Sequence, residues 1–147
     1  MDSAERYSRQ TMLPELGAEG QKRLSATKIL LVGAGGLGSP IATYLTAAGI
    51  GTLGIIDADK VSVSNLQRQT LYTEDEVGQS KVECAYKRLN CLNHEVSIRT
   101  YDCFLTKDNA DEIIAGYDMV VDGCDNFATR FIINDICIAA GKPYIYG

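Results

Sequence analysis

The run "KILLVGAGGLGSP", residues 28–40, limits what this chain can fold into more than any other stretch. "KILLV" is a continuous apolar run, as expected of a central strand buried on both faces. Three glycines follow as Gly33-x-Gly35-x-x-Gly38, and then Ser39 and Pro40, which read as an N-cap and a first helical residue. Between a strand and a helix each glycine has a physical task. Gly33 permits the tight turn, Gly35 lets backbone approach a phosphate, and Gly38 lets the helix pack on the strand. The helix start adds free N–H groups and a positive dipole end, which attract an anion. A glycine-rich connection without a ligand is the alternative.

The rest of the chain repeats the theme. "TLGII" (52–56) reads as a second strand, and Asp57 ends it roughly two dozen residues after Gly33, near the spacing of about 20 at which an acid meets a ribose. Residues 79–92 put Val82, Ala85, Tyr86, Leu89 and Leu92 on one helical stripe. "EVSIRTY" (95–101) alternates like a strand, 108–116 is a short helix, and "MVVD" (119–122) is a buried strand. A helix over about 126–140 and a strand from 143 complete the pattern. Strands alternating with helices predict an α/β fold, Rossmann-like and doubly wound, with a mainly parallel sheet and helices on both faces. Residues 1–27 form an N-terminal segment with weaker helical signals at 4–10 and 18–25, and residues 28–147 form the sheet domain. The last strand begins just as the sequence stops, so the expectation is the N-terminal part of a longer protein.

Bulk properties exclude several classes. The 147 residues are enough for one core, and 46% hydrophobic with 22% charged residues is ordinary for a globular protein. A formal net charge of -5 argues against a nucleic-acid partner. No apolar run approaches a membrane span and the start lacks a signal-peptide pattern, so the expected location is cytoplasmic. Cys84, Cys91, Cys103, Cys124 and Cys137 form no CxxC pair, against a disulfide or zinc framework. All but Cys124 sit among apolar neighbours and read as small buried hydrophobes. Cys124 lies in a loop beside two aspartates, with no histidine nearby in sequence to activate it. His94 is the single histidine, which disfavours Cys-His and Ser-His-Asp machinery.

NAD, FAD, S-adenosylmethionine and ATP can all use a glycine loop of this kind. The segment from Asp57 to Lys81 separates them. It holds Asn65, Arg68 and Lys81, with Gln67 and Gln69 between, in and after the run "SNLQRQ" (64–69). A triphosphate needs side-chain cations and a divalent metal beyond what helix N–H groups supply. Lys81 opens a helix, where a cation opposes the dipole unless an anion compensates. Asp122 and Asp125 follow the fourth strand, where a carboxylate can hold Mg²⁺.

With "RYSRQ", "VGAGGLGS", "DADKVSVSNLQRQ", "VGQSKVE" and "DGCDNFATR" in order, the chain resembles the ThiF/MoeB/HesA family, adenylyltransferases related to ubiquitin-activating enzymes. The likeness runs from about Arg6 to the end, and its wording leans toward the thiamine-thiazole branch over the molybdopterin branch. It implies ATP-dependent activation of the C-terminal glycine carboxylate of a ubiquitin-like sulfur carrier (ThiS- or MoaD-like), with pyrophosphate released. It implies Gly33, Gly35, Gly36 and Gly38 at the phosphates, Asp57 on the ribose with Asp59 nearby, and Asn65, Arg68 and Lys81 on the triphosphate. It further implies Asp125 as the Mg²⁺ ligand and Arg9 reaching the ATP of a partner subunit in a homodimer. Zinc ligands and a sulfur-transfer cysteine are implied only beyond Gly147.

The implied chemistry suits the inventory. A C-terminal carboxylate with an ordinary pKa of about 3.3–3.7 is ionised at neutral pH and needs no general base. An NAD(P)-dependent oxidoreductase is the rival reading, and it leaves Arg9, Arg68 and Lys81 without work. A non-catalytic nucleotide-binding half is a third, opposed by the presence of both Arg9 and Asp125.

Overall fold

The computed structural model describes residues 3–147. Three helices precede the sheet: α1 (Ser3–Arg6), α2 (Ser8–Thr11) and α3 (Gly17–Ala26). The sheet domain then runs β1 (Lys28–Val32), α4 (Gly38–Ala48), β2 (Thr52–Ile56), α5 (Lys81–Leu92), β3 (Ser97–Tyr101), α6 (Ala110–Ala115), β4 (Met119–Asp122), α7 (Phe127–Ala140) and β5 (Tyr144–Tyr146).

The five strands are all parallel in the order β3-β2-β1-β4-β5. Successive side chains of β1 feed opposite faces, which is why its sequence is apolar throughout. Ile29 and Leu31 join Ala42 of α4 and Val82, Ala85 and Leu89 of α5 in one core. Leu30 and Val32 join Ala110 and Ile114 of α6 and Ile133 and Cys137 of α7 in the other. The sheet is therefore covered on both sides, as the alternation of elements predicts. Edge strand β3 carries exposed Ser97, Arg99 and Thr100, polar groups that blunt an otherwise open edge.

Three local expectations are corrected. Ser39 is not the N-cap: α4 begins at Gly38, and Ser39 is buried in the first turn with its Oγ donating to the Gly35 carbonyl at 2.7 Å. The glycine turn is tight enough that a Cβ on Gly38 would stand 2.0 Å from the Gly33 carbonyl oxygen, so the helix starts directly against the strand. On α5, Val82, Ala85 and Leu89 are buried while Tyr86 and Leu92 are exposed, because the stripe that meets the sheet is narrower than the apolar pattern. Cys91 is exposed as well, and only Cys84 and Cys137 are fully buried. No helix among the described residues is long and apolar enough to cross a membrane.

Candidate functional site

Strand order reverses direction between β1 and β4, and ligands of open α/β sheets gather outside the carboxyl ends of the strands at that point. A cavity of about 610 Å³ opens there. Its lining brings together residues distant in sequence: Gly33, Gly35 and Gly36 from the glycine loop, Asp57 and Asp59 after β2, Asn65 and Arg68, Lys81, and Asp125 after β4. Of the candidate ligand residues singled out by sequence, Gly38, Asp122 and Arg9 are not among the lining residues. Gly38 is spent on helix–strand contact.

The glycine loop is pinned at one residue, Ala34. Asp57 Oδ2 accepts from Ala34 N–H at 2.7 Å, and the Tyr72 hydroxyl donates to the Ala34 carbonyl at 2.7 Å. Burial, reinforced by the nearby Asp57 carboxylate, pushes the Tyr72 pKa up, so the hydroxyl remains a donor. Asp57 Oδ1 also accepts from Asp59 N–H at 2.8 Å. The acid expected at a ribose thus has a second task, holding the loop, and each oxygen keeps a lone pair for a ligand hydroxyl.

The two cations are held differently. Lys81 is 4% exposed at the first position of α5, and its Nζ lies 3.3 Å from Asp59 Oδ2. Asp59 supplies the anion that a cation at a helix start requires, so the unfavourable dipole contact has a protein partner without any phosphate. Arg68 is exposed, and among the described residues its side chain donates only to the Ser64 carbonyl at 3.3 Å. Its side chain lies across Gly36, where an added Cβ would meet Arg68 Cδ at 3.3 Å. A guanidinium stacked over a glycine loop is free to meet an anion resting on that loop.

The aspartates after β4 divide in the same way. Asp122 is fully buried, accepts from Cys124 N–H at 2.8 Å and the Tyr144 hydroxyl at 2.7 Å, and lies 3.6 Å from Arg130 Nε. It is structural, which corrects its place among ligand candidates. Asp125 is exposed on the cavity rim. Cys124 between them has its pKa pushed up to about 11, first by burial and then by Asp122, so it is a protonated thiol at neutral pH. A nucleophilic role is disfavoured.

In the sequence Gln69 stands only as a polar residue between cations, and Asn126, Thr129 and Phe104 carry no ligand signal. All four line the cavity. Gln69 is 3% exposed with its Oε1 lacking a hydrogen-bond partner among the described residues. A buried orphan carbonyl costs about 1–3 kcal/mol, a strain that a cavity ligand or water can relieve. Its position in "SNLQRQ" was visible; its burial was not.

The residues fit a magnesium nucleotide. Apolar Val32, Ile56 and Leu105 line the cavity together with Asn65, Arg68, Lys81 and Asp125, so a base and a polyphosphate both find matching chemistry. Among the described residues no group of three His, Cys, Asp or Glu could hold a metal by itself. Mg²⁺ commonly takes one or two carboxylates plus substrate phosphates, which a lone Asp125 can satisfy.

Comparison with known proteins agrees with this geometry. The chain is 49% identical over 146 residues to the sulfur carrier protein adenylyltransferase of Thermus thermophilus, covering 99% of this chain and 54% of that protein. It is 46% identical to the probable adenylyltransferase/sulfurtransferase MoeZ of Mycobacterium tuberculosis, covering 97% of this chain and 36% of that protein. The chain thus spans about half or less of the curated relatives it matches. Among solved structures, the Escherichia coli tRNA N6-threonylcarbamoyladenosine dehydratase TcdA in complex with ATP superimposes with a TM-score of 0.91 at 30% identity, over 97% of this chain and 58% of that one. The model for the ThiF family matches residues 7–147. The chain belongs to the ThiF family.

Proposed function

We propose that this protein is an adenylyltransferase that activates the C-terminal carboxylate of a ubiquitin-like sulfur carrier with ATP. The observation that carries the reading is the convergence of Asp57, Asn65, Arg68, Lys81 and Asp125 on one cavity at the switch point. The names of the relatives, a sulfur carrier protein adenylyltransferase and MoeZ, support the substrate class. The ATP complex of TcdA supports the nucleotide over NAD(P).

In this reading a carrier carboxylate oxygen forms a bond to the α-phosphorus. The bond from that phosphorus to the oxygen bridging to the β-phosphate breaks, and pyrophosphate leaves with the electron pair. The nucleophile is already an anion, so no proton has to be removed. The obstacle is repulsion between two anions. Lys81 and Arg68 offset it and stabilise charge gathering on pyrophosphate, while Asp57 orients the ribose and keeps the loop shaped. Gln69 turns its carboxamide to the same cavity. Asp125 would hold Mg²⁺, which would supply further charge neutralisation.

Arg9 acts from a second copy in this reading. Tyr7, Arg6 and Gln10 are tied to Gly49, Leu92 and Ala48, all next to the amino ends of β2 and β3. The cavity lies at the carboxyl ends, and a five-residue strand spans about 16 Å. An arginine fixed at one edge does not reach the phosphates of its own subunit at the other, which favours a partner's site in a homodimer.

Carrier-dependent ATP–pyrophosphate exchange tests the activity. Exchange with a MoaD-like or a ThiS-like carrier is expected, and comparing the two assigns the molybdopterin or the thiamine branch. Stabilisation against heat by NADH and not by Mg²⁺–ATP would instead restore the oxidoreductase.

A further inference from the structure

The arm that carries Arg9 is locked to the body by a partly buried polar cluster, and we propose that Tyr7 is a positioning residue that serves the active site of the neighbouring subunit through Arg9. This rests on the reading that Arg9 acts across a homodimer.

Tyr7 is 7% exposed, although Ser8 and Arg9 beside it are exposed and α2 buries no residue. Its hydroxyl donates to Glu95 Oε2 at 3.0 Å and accepts from Asn93 Nδ2 at 2.9 Å. Asn93 is fully buried and donates also to the Thr46 carbonyl at 2.9 Å, while its Oδ1 accepts from Glu95 N–H at 3.2 Å. Burial raises the Tyr7 pKa, so the hydroxyl keeps the proton it gives to Glu95. The ring fills the place of a side chain on Gly49, where an added Cβ would stand 2.4 Å from Tyr7 Cζ. Gly49 can leave that place open because it caps α4 at φ +81°.

Beyond Arg9 the chain is fastened again. Gln10 donates to the Ala48 carbonyl at 2.9 Å and hydrogen-bonds Gln21. Arg9 thus sits between two anchors, with its backbone fixed and its own side chain exposed. Among the described residues that side chain makes no hydrogen bond or ion pair. An arm free to move would have to be ordered at each encounter, whereas this one presents its guanidinium already in place. The cluster stands at the sheet edge opposite its own subunit's cavity, so loosening it damages chemistry only where the arm points.

Mixed dimers separate this role from ordinary stabilisation. In the full-length protein, Tyr7→Phe removes only the hydroxyl, and exchange by the homodimer with a MoaD-like carrier is expected to fall roughly tenfold. Differently tagged subunits, co-expressed and purified through both tags, give defined heterodimers. Paired with an Arg68→Ala subunit, the Tyr7→Phe subunit keeps an intact site served by a wild-type arm, so the heterodimer should reach half of wild-type activity. Paired with an Arg9→Ala subunit, it should show no more than half the activity of the Tyr7→Phe homodimer. Glu95→Ala, which removes the acceptor of the same hydroxyl and leaves the ring on Gly49, should repeat both results and stands in if Tyr7→Phe does not fold. Wild-type exchange by the Tyr7→Phe homodimer overturns the proposal. So does a Tyr7→Phe/Arg68→Ala heterodimer no better than half of the Tyr7→Phe homodimer, which is the mark of a residue serving its own subunit. The Arg9→Ala/Arg68→Ala pair is the control: if it stays inactive as a proven heterodimer, or if no mixed dimer forms, the trans assignment of Arg9 itself fails.

Discussion

The two edges of the sheet have been built for opposite purposes. At the amino edge, Tyr7, Asn93 and Glu95 hydrogen-bond one another and the surrounding backbone, and beside them only Thr46 Oγ1 of that cluster lacks a partner among the described residues. At the carboxyl edge, polar groups are left partly unspent. Gln69 Oε1 has no partner among the described residues, Arg68 holds one carbonyl at 3.3 Å, and Asp125 stands exposed. Both edges are polar and both border a cavity, but the glycine loop, Arg68, Lys81 and Asp125 meet only at the carboxyl one. Complete satisfaction fixes structure, whereas incomplete satisfaction beside a cavity stores binding capacity. The same contrast recurs three residues apart, in Asp122 and Asp125.

The comparison predicts that substitutions at the carboxyl edge change chemistry with little change in stability, and that the amino edge behaves the other way within its own subunit. The largest effect is expected for Arg68→Ala. Exchange should fall by about 2–4 kcal/mol of transition-state stabilisation, roughly thirtyfold to nine-hundredfold. Urea unfolding should move by less than about 0.5 kcal/mol, since the side chain is exposed. Near-normal exchange would remove the main support for the site.

Next comes Asp125→Ala. The Mg²⁺ concentration giving half-maximal exchange should rise by roughly tenfold, with the fold intact by circular dichroism. Unfolding of this variant would assign Asp125 to the structural side, with Asp122.

Gly49→Ala probes the amino edge. The new Cβ meets the Tyr7 ring at 2.4 Å and a non-glycine residue must adopt φ +81°, so stability should drop by roughly 1–3 kcal/mol in urea. An unchanged midpoint would show that the lock has slack.

Cys124→Ser should have the smallest effect, leaving exchange within about twofold of wild type. The raised pKa of about 11 means that the thiolate is scarce at pH 8, so iodoacetamide labelling of Cys124 should be slow there and quicken as pH rises. Rapid labelling of Cys124 at pH 7, located by mass spectrometry, would reopen the nucleophilic reading.

Much of this protein was legible without coordinates. The order of strands and helices, the doubly wound sheet and the glycine loop are written in local patterns, because buried strands and helix starts impose their periodicity on neighbouring residues. The nucleotide-edge position of Asp57, Asn65, Arg68, Lys81 and Asp125 followed from the same patterns, since residues after parallel strands share one edge. Burial and partnership did not. Position after the fourth strand offered both Asp122 and Asp125, the resemblance implied Asp125, and the arrival of Tyr144 and Arg130 from later elements gives the physical reason that Asp122 is closed. Tyr7 meets Asn93 across 86 positions, and Gln69 loses solvent to segments that no local window contains. The sequence by itself determined which residues stand at which edge of the sheet. Which of them are satisfied there depends on through-space desolvation and hydrogen bonding, and only the tertiary structure decided it.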